Sequence, residues 1–176
     1  MKIGFCGTMS VGKTTLVNAL KELPEFADYN FATERSKYLR DLGIPLNTDS
    51  TLKGQIIFLA ERAAELLQVN IITDRTVIDV MAFTRAAESI SYYESEKFNE
   101  LARNLLHEYD YLFYVSPEGV EIEDNGVRTT DADYREVIDN LIKLDLNRNQ
   151  HRIKNLITIS GTTDERILKI KETIFG

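Results

Sequence analysis

The sequence predicts an α/β domain in which a five-stranded parallel sheet is flanked by helices, and three observations predict it. Short apolar runs alternate with longer segments of helical period, the pattern of parallel strands joined by crossover helices. The first apolar run leads straight into Gly7-Thr8-Met9-Ser10-Val11-Gly12-Lys13-Thr14, a glycine-bounded turn that opens a helix. The chain has 176 residues, the length of one domain, and shows no internal repeat, low-complexity tract or linker. A single domain over residues 1–176 is therefore expected.

Lys2 to Cys6 is the first strand, and the helix after it runs from Lys13 to Leu23. A second strand covers Asp28 to Thr33. Leu52, Ile56, Leu59, Ala63 and Leu66 then form a stripe at helical spacing. Val69 to Thr73 is the third strand, followed by a helix over Thr76 to Ser89. Phe98, Leu101, Ala102, Leu105, Leu106 and Tyr109 mark one face of the next helix. The fourth strand is Tyr111 to Val115. After it, Ser116 to Asp131 breaks the periodicity with Pro, Gly, Asn and acidic residues, as a loop does. Tyr134, Val137, Ile138, Leu141 and Leu144 form another stripe. A last strand at Leu156 to Ser160 and a helix over Thr163 to Thr173 complete the set.

Composition narrows the function. With 21 Lys and Arg against 28 Asp and Glu, the formal net charge is -7. That balance excludes a surface tracking nucleic acid or an anionic membrane along its length, since both demand an excess of cations. Cys6 is the single cysteine, and His107 and His151 lie far apart, so neither a disulfide framework nor a zinc site is available. Cys6 itself reads as a small buried hydrophobe. No run is long enough for a bilayer span or a signal sequence, and a cytoplasmic location is expected.

The strongest signal is the turn after the first strand, a complete G-x-x-x-x-G-K-[ST] match whose residues Gly7 to Thr14, with Thr15, form a nucleotide phosphate site. Its glycines let successive backbone N–H groups face a phosphate, and the helix N-terminus adds positive charge at the same point. Lys13 is expected to reach the β and γ phosphates of the nucleotide and the Thr14 hydroxyl to join a Mg²⁺ shell. Guanine-reading N-K-x-D and a switch-type D-x-x-G are absent, which disfavours a GTPase. The strand that would end in Asp-Glu in a processive ATPase ends instead in Asp74-Arg75.

Further segments follow in a set order: Thr33-Glu34-Arg35-Ser36-Lys37, Asp74-Arg75 with Asp79 and Ala82-Phe83, Asp124-x-Gly126-Val127-Arg128, and Ser160-Gly161-Thr162. Together with the phosphate loop they span nearly the whole chain. The set resembles the P-loop kinase-like ATPase family, which includes the nicotinamide riboside kinase domain of bacterial NAD-salvage proteins and many bacteriophage proteins. The resemblance implies the strand order 2-3-1-4-5 and a lid at approximately 116–131. It also implies a phosphotransferase that moves the γ-phosphoryl of Mg-ATP to a nucleoside-like acceptor: nicotinamide riboside first, a deoxynucleoside or its monophosphate second.

Under that resemblance Glu34 is the general base and touches substrate; its structural alternative is a strand-end carboxylate paired with Arg35 or Arg75. Asp74 holds the magnesium shell, or else caps the following helix. Arg75 clamps acceptor or phosphate oxygens, for which a guanidinium fork is suited. Arg35 and Asp79 are expected at the substrate, although Asp79 also suits a helix N-terminus. Arg128 is the cis-acting finger of the lid, unless it merely neutralises its acidic neighbours; Arg135 assists it or forms a solvated face. Gly161 and Thr162 approach adenine. Gln55, with Tyr38, Phe58 and Phe83 as walls, reads a planar base, the alternative being ordinary packing. The rival class is an accessory or regulatory ATPase acting on a protein or nucleic-acid partner, against which the chain offers no broad basic groove. A monomer or homodimer is expected.

Overall fold

A computed structural model describes residues 1–33, 35–119 and 132–176. Glu34 and the segment 120–131, which carries Arg128, lie outside the described residues. The strands are β1 (Lys2–Cys6), β2 (Asn30–Ala32), β3 (Ile71–Asp74), β4 (Tyr111–Val115) and β5 (Leu156–Ile159). All neighbours pair in parallel, in the order β2-β3-β1-β4-β5, as the resemblance implies. Among the described residues the helices are α1 (Lys13–Lys21), α2 (Ser36–Asp41), α3 (Leu52–Glu65), α4 (Val77–Ala86), α5 (Tyr92–Ala102), α6 (Ala132–Arg148) and α7 (Thr163–Phe175).

Alternation along the strands divides the core into two layers. Ile3 and Phe5 of β1 face α1 and α7, where Leu16, Leu20, Phe26 and Ile170 are buried and Phe5 stacks on Phe113 of β4 at 5.3 Å. Cys6, Leu112 and Tyr114 face the other way, onto α3, α4, α5 and α6. Cys6 is fully buried. Burial, and then the Asp79 carboxylate, push its thiol pKa well up, so it stays a neutral apolar group.

Several boundaries and faces differ from the sequence reading. β2 begins at Asn30 rather than Asp28 because Tyr29 N–H is spent on a turn, donating to Phe26 O at 3.0 Å. β3 runs one residue further than expected and ends on Asp74 itself. The stripe from Phe98 to Tyr109 is two elements: α5 stops at Ala102, and a 3-10 segment, Arg103–Glu108, carries the chain to β4. Leu101 is thereby left exposed. In α3 the buried side chains are Gln55, Phe58, Leu59 and Arg62, with Ile56 turned to solvent. Apolar spacing misses this face because two polar residues belong to it. α6 does the same, burying Ile138, Asp139, Ile142, Asp145 and Leu146 while Val137 and Leu144 are exposed. Among the described residues no helix is long and apolar enough to cross a membrane.

Candidate functional site

Because all strands run parallel, the segments after β1, β2, β3 and β5 gather at one edge of the sheet, where ligands collect in open α/β folds. The loop from Gly7 to Gly12 joins β1 to α1. Its glycines are required by their surroundings: a Cβ on Gly7 would lie 2.7 Å from the carbonyl oxygen of Val115, and Gly12 adopts φ 81°. Ser10 also takes a left-handed conformation, φ 56°. Lys13, almost wholly buried, donates from Nζ to the carbonyls of Gly7 and Thr8 at 2.6 and 2.8 Å. Thr15 stands exposed one residue past Thr14.

Thr14 Oγ1 donates to Asp74 Oδ2. The pairing of β1 with β3 sets this contact, since Phe5 lies opposite Asp74. Asp74 is 1% exposed, and its other oxygen, Oδ1, has no hydrogen-bond partner among the described residues. A buried carboxylate oxygen without a donor is costly in an apolar surrounding and calls for a cation. The residues therefore fit Mg²⁺. Among the described residues no cluster of three or more His, Cys, Asp or Glu could hold a metal, so such an ion would complete its shell with water and phosphate oxygens, as Mg²⁺ does. Asp74 does not cap α4; Thr76 does, accepting from Ile78 N–H at 3.2 Å.

Arg75 takes φ 98°, a strained conformation for a side chain of its size. Its guanidinium lies 4.9 Å over the ring of Phe83 and lines a crevice with Ser36, Asn47, Ser50, Gln55 and Phe58. The crevice measures about 440 Å³ including its solvent-open mouth. Gln55 and both phenylalanines are thus brought to one cavity. Tyr38 is not, being half exposed beneath the Arg35 guanidinium at 4.5 Å.

Two expected substrate contacts are directed elsewhere. Arg35 pairs with Glu61 of α3 at 3.1 Å, so its charge is answered outside the crevice. Asp79 is 1% exposed and both its oxygens are used. Oδ2 accepts from Thr76 N–H at 2.7 Å and Thr76 Oγ1 at 2.9 Å, completing a capping box, while Oδ1 accepts from Gly7 N–H at 3.1 Å. The acid thus joins the start of the phosphate loop to the start of α4. Gly161, φ 87°, and Thr162 follow β5 at the same edge, where Thr162 caps α7 and Glu165 answers it, Thr162 N–H donating to Glu165 Oε2 at 2.8 Å.

Two arginines lean on the loop from outside. Arg135 of α6 donates to the carbonyls of Met9 and Ser10, both at 3.3 Å, and accepts from Thr8 Oγ1 on its own carbonyl at 2.9 Å. Arg166 of α7 donates from Nη1 to Val11 O at 2.6 Å. Sequence reasoning passed over Arg166. Its signal was present: a cation in the first turn of a helix opposes the helix dipole and needs another reason to be there.

A glycine-rich loop feeding a helix N-terminus, with a strand-end acid on its threonine and an arginine-lined crevice beside it, defines a P-loop fold of the kinase type. A family model described as an AAA domain matches residues 2–166, and the chain belongs to that family. No curated protein matches the chain. Among solved structures it is similar to the deoxyadenosine kinase of M. mycoides with dCMP and dCDP bound, at 18% identity and TM-score 0.67, covering 99% of this chain and 98% of that one. It is also similar to NadR in complex with NR, at 14% identity and TM-score 0.72, covering 97% of this chain and 50% of that one. A third similar structure is YorR of Bacillus subtilis in complex with phosphorylated GDP, at 16% identity and TM-score 0.58, covering 99% and 95%. At these identities the likeness is one of fold.

Proposed function

We propose that the protein is an ATP-dependent kinase of a nucleoside or nucleotide. The observation that carries this reading is the divergence of two consecutive side chains: Asp74 turns to Thr14 at the phosphate loop, and Arg75 turns to the crevice beside Phe83. A donor site and an acceptor site are thereby held one peptide bond apart, and phosphoryl transfer depends chiefly on such positioning. The similarity to a deoxyadenosine kinase and to NadR supports the same reading.

In this mechanism the loop N–H groups and Lys13 bind the phosphates of ATP, Lys13 exchanging its loop carbonyls for phosphate oxygens. Thr14 and Asp74 would hold Mg²⁺, which supplies charge neutralisation on the transferring group. Arg75 orients the acceptor's oxygens. Glu34 takes the proton of the attacking hydroxyl and Arg128 stabilises the charge that develops in transfer; both roles rest on the sequence resemblance. Gly161 leaves room for adenine.

The resemblance implies nicotinamide riboside as first acceptor and a deoxynucleoside or its monophosphate as second, and the crevice beside Arg75 is where we propose the acceptor sits. Among its described lining residues Arg75 carries the formal charge, and Ser36, Asn47, Ser50 and Gln55 are neutral hydrogen-bonding groups. Groups of this kind suit the hydroxyls and base edge of a nucleoside, and a guanidinium suits a phosphate or hydroxyl oxygen. An acceptor panel tests this: nicotinamide riboside, the deoxynucleosides and their monophosphates, with ADP and phosphorylated product both measured. Phosphorylated product from at least one of these acceptors, with ADP formed in equal amount, is expected. ATP hydrolysis without any phosphorylated acceptor would replace the kinase by an accessory ATPase.

A further inference from the structure

We propose that Arg166, a residue outside the phosphate-loop motif, is a positioning residue that shapes that loop for a polyphosphate; the proposal rests on reading the loop as an ATP site. Arg166 is 3% exposed, in the first turn of α7, where the helix dipole disfavours a cation. No acid pairs with it among the described residues, and its Nε and Nη2 have no hydrogen-bond partner there. A guanidinium buried with donors unspent is costly and is kept only where it serves something.

What it serves is read from the side-chain bond it makes among the described residues. Nη1 holds Val11 O at 2.6 Å and lies against Gly12, where an added Cβ would stand 3.3 Å from it. A carbonyl and the N–H that follows it belong to one planar trans peptide and point in opposite directions. Drawing the Val11 carbonyl outward therefore aims the Gly12 N–H inward, toward the anion side of the loop. The buried positive charge behind that peptide acts in the same direction, since no carboxylate among the described residues cancels it. Alignment and charge both favour a chain of phosphates.

The test compares Arg166→Met, which keeps the bulk and loses the charge and the bond, with Arg166→Lys, which keeps the charge. Calorimetry on the full chain measures affinity for ATP and for inorganic tripolyphosphate, and melting without ligand measures stability. Arg166→Met is expected to weaken both ligands by a similar factor, about tenfold or more. Its Tm should hold or rise, because an apolar replacement removes a buried unpaired ion. Arg166→Lys should recover part of both affinities. Unchanged affinities in Arg166→Met, or a loss of affinity that tracks a loss of Tm, would overturn the proposal. If Arg166→Met does not fold, Arg166→Lys decides by the same comparison, with parental affinity and a lowered Tm counting against a role in binding. Failure of the parental protein to bind either ligand would instead overturn the reading of the loop itself.

Discussion

At the scale of single residues, Asp79 has two readings in the sequence, substrate contact and a helix N-terminus, and the structure places it at the second. Its spacing after Asp74-Arg75 suggests substrate contact, but its two oxygens are divided between Thr76 and Gly7 N–H. Asp79→Ala would leave a buried loop N–H and a helix start without their acceptor, so a loss of about 2 kcal/mol in denaturant unfolding is expected. ATP affinity should fall with it, while Asp79→Asn, which keeps an acceptor oxygen, should lose less of both. Motif spacing placed Lys13, Thr14, Asp74 and Arg75 in one candidate site because each sits at a fixed offset from a strand end or a helix start, and the structure gathers them at the loop and the crevice beside it. It did not find where Arg35 points, because Glu61, its partner, lies 26 positions later on another helix. Nor did it find Arg166, whose contact with Val11 spans 155 positions.

At the scale of elements, the strands were legible to within a residue or two, since each is a short apolar run bounded by turn residues. Helix faces were less so. α3 and α6 bury Gln55, Arg62, Asp139 and Asp145, and a count of apolar spacing rotates such a helix until only its hydrophobic residues face inward. Arg62 is held by Glu65 at 2.5 and 2.7 Å, and Asp139 by the hydroxyl of Tyr114 at 2.6 Å, so these helices are polar inside because the pairs satisfy one another. Capping left a signal that went unused: Ser91 with Glu94 and Thr162 with Glu165 both follow the S/T-x-x-E pattern. The Thr162 backbone N–H first, and its hydroxyl second, hold the Glu165 carboxyl below the usual glutamate range. A depressed carboxylate stabilises the fold above its unfolded pKa, and that share is lost as pH falls through the lower folded value. Glu165→Gln can still bond the Thr162 N–H, so its Tm near neutrality should stay close to parental while its fall below about pH 4 becomes shallower. Melting curves across that range measure it, and identical slopes would remove the cap from the acid response.

At the scale of the whole molecule, an acidic body with net charge -7 surrounds a small basic focus. Lys13, Arg135 and Arg166 converge on one loop, from α1, α6 and α7 respectively. This is how a chain unsuited to a long polyanion can suit a short one. The carboxylate of Asp79 adds something that neither site has alone. It pins the loop to the first turn of α4, and α4 also carries Val80 and Phe83, two walls of the crevice. On the proposed function, settling the loop around a nucleotide would therefore steady the acceptor's walls, and a seated acceptor would steady the loop. Cooperativity of this kind is reciprocal: each ligand is expected to tighten the other by the same factor, on the order of fivefold or more. Titration of either ligand with the other absent and then saturating measures that factor. In Asp79→Ala it should shrink toward one, as two pockets that shared a pin become strangers.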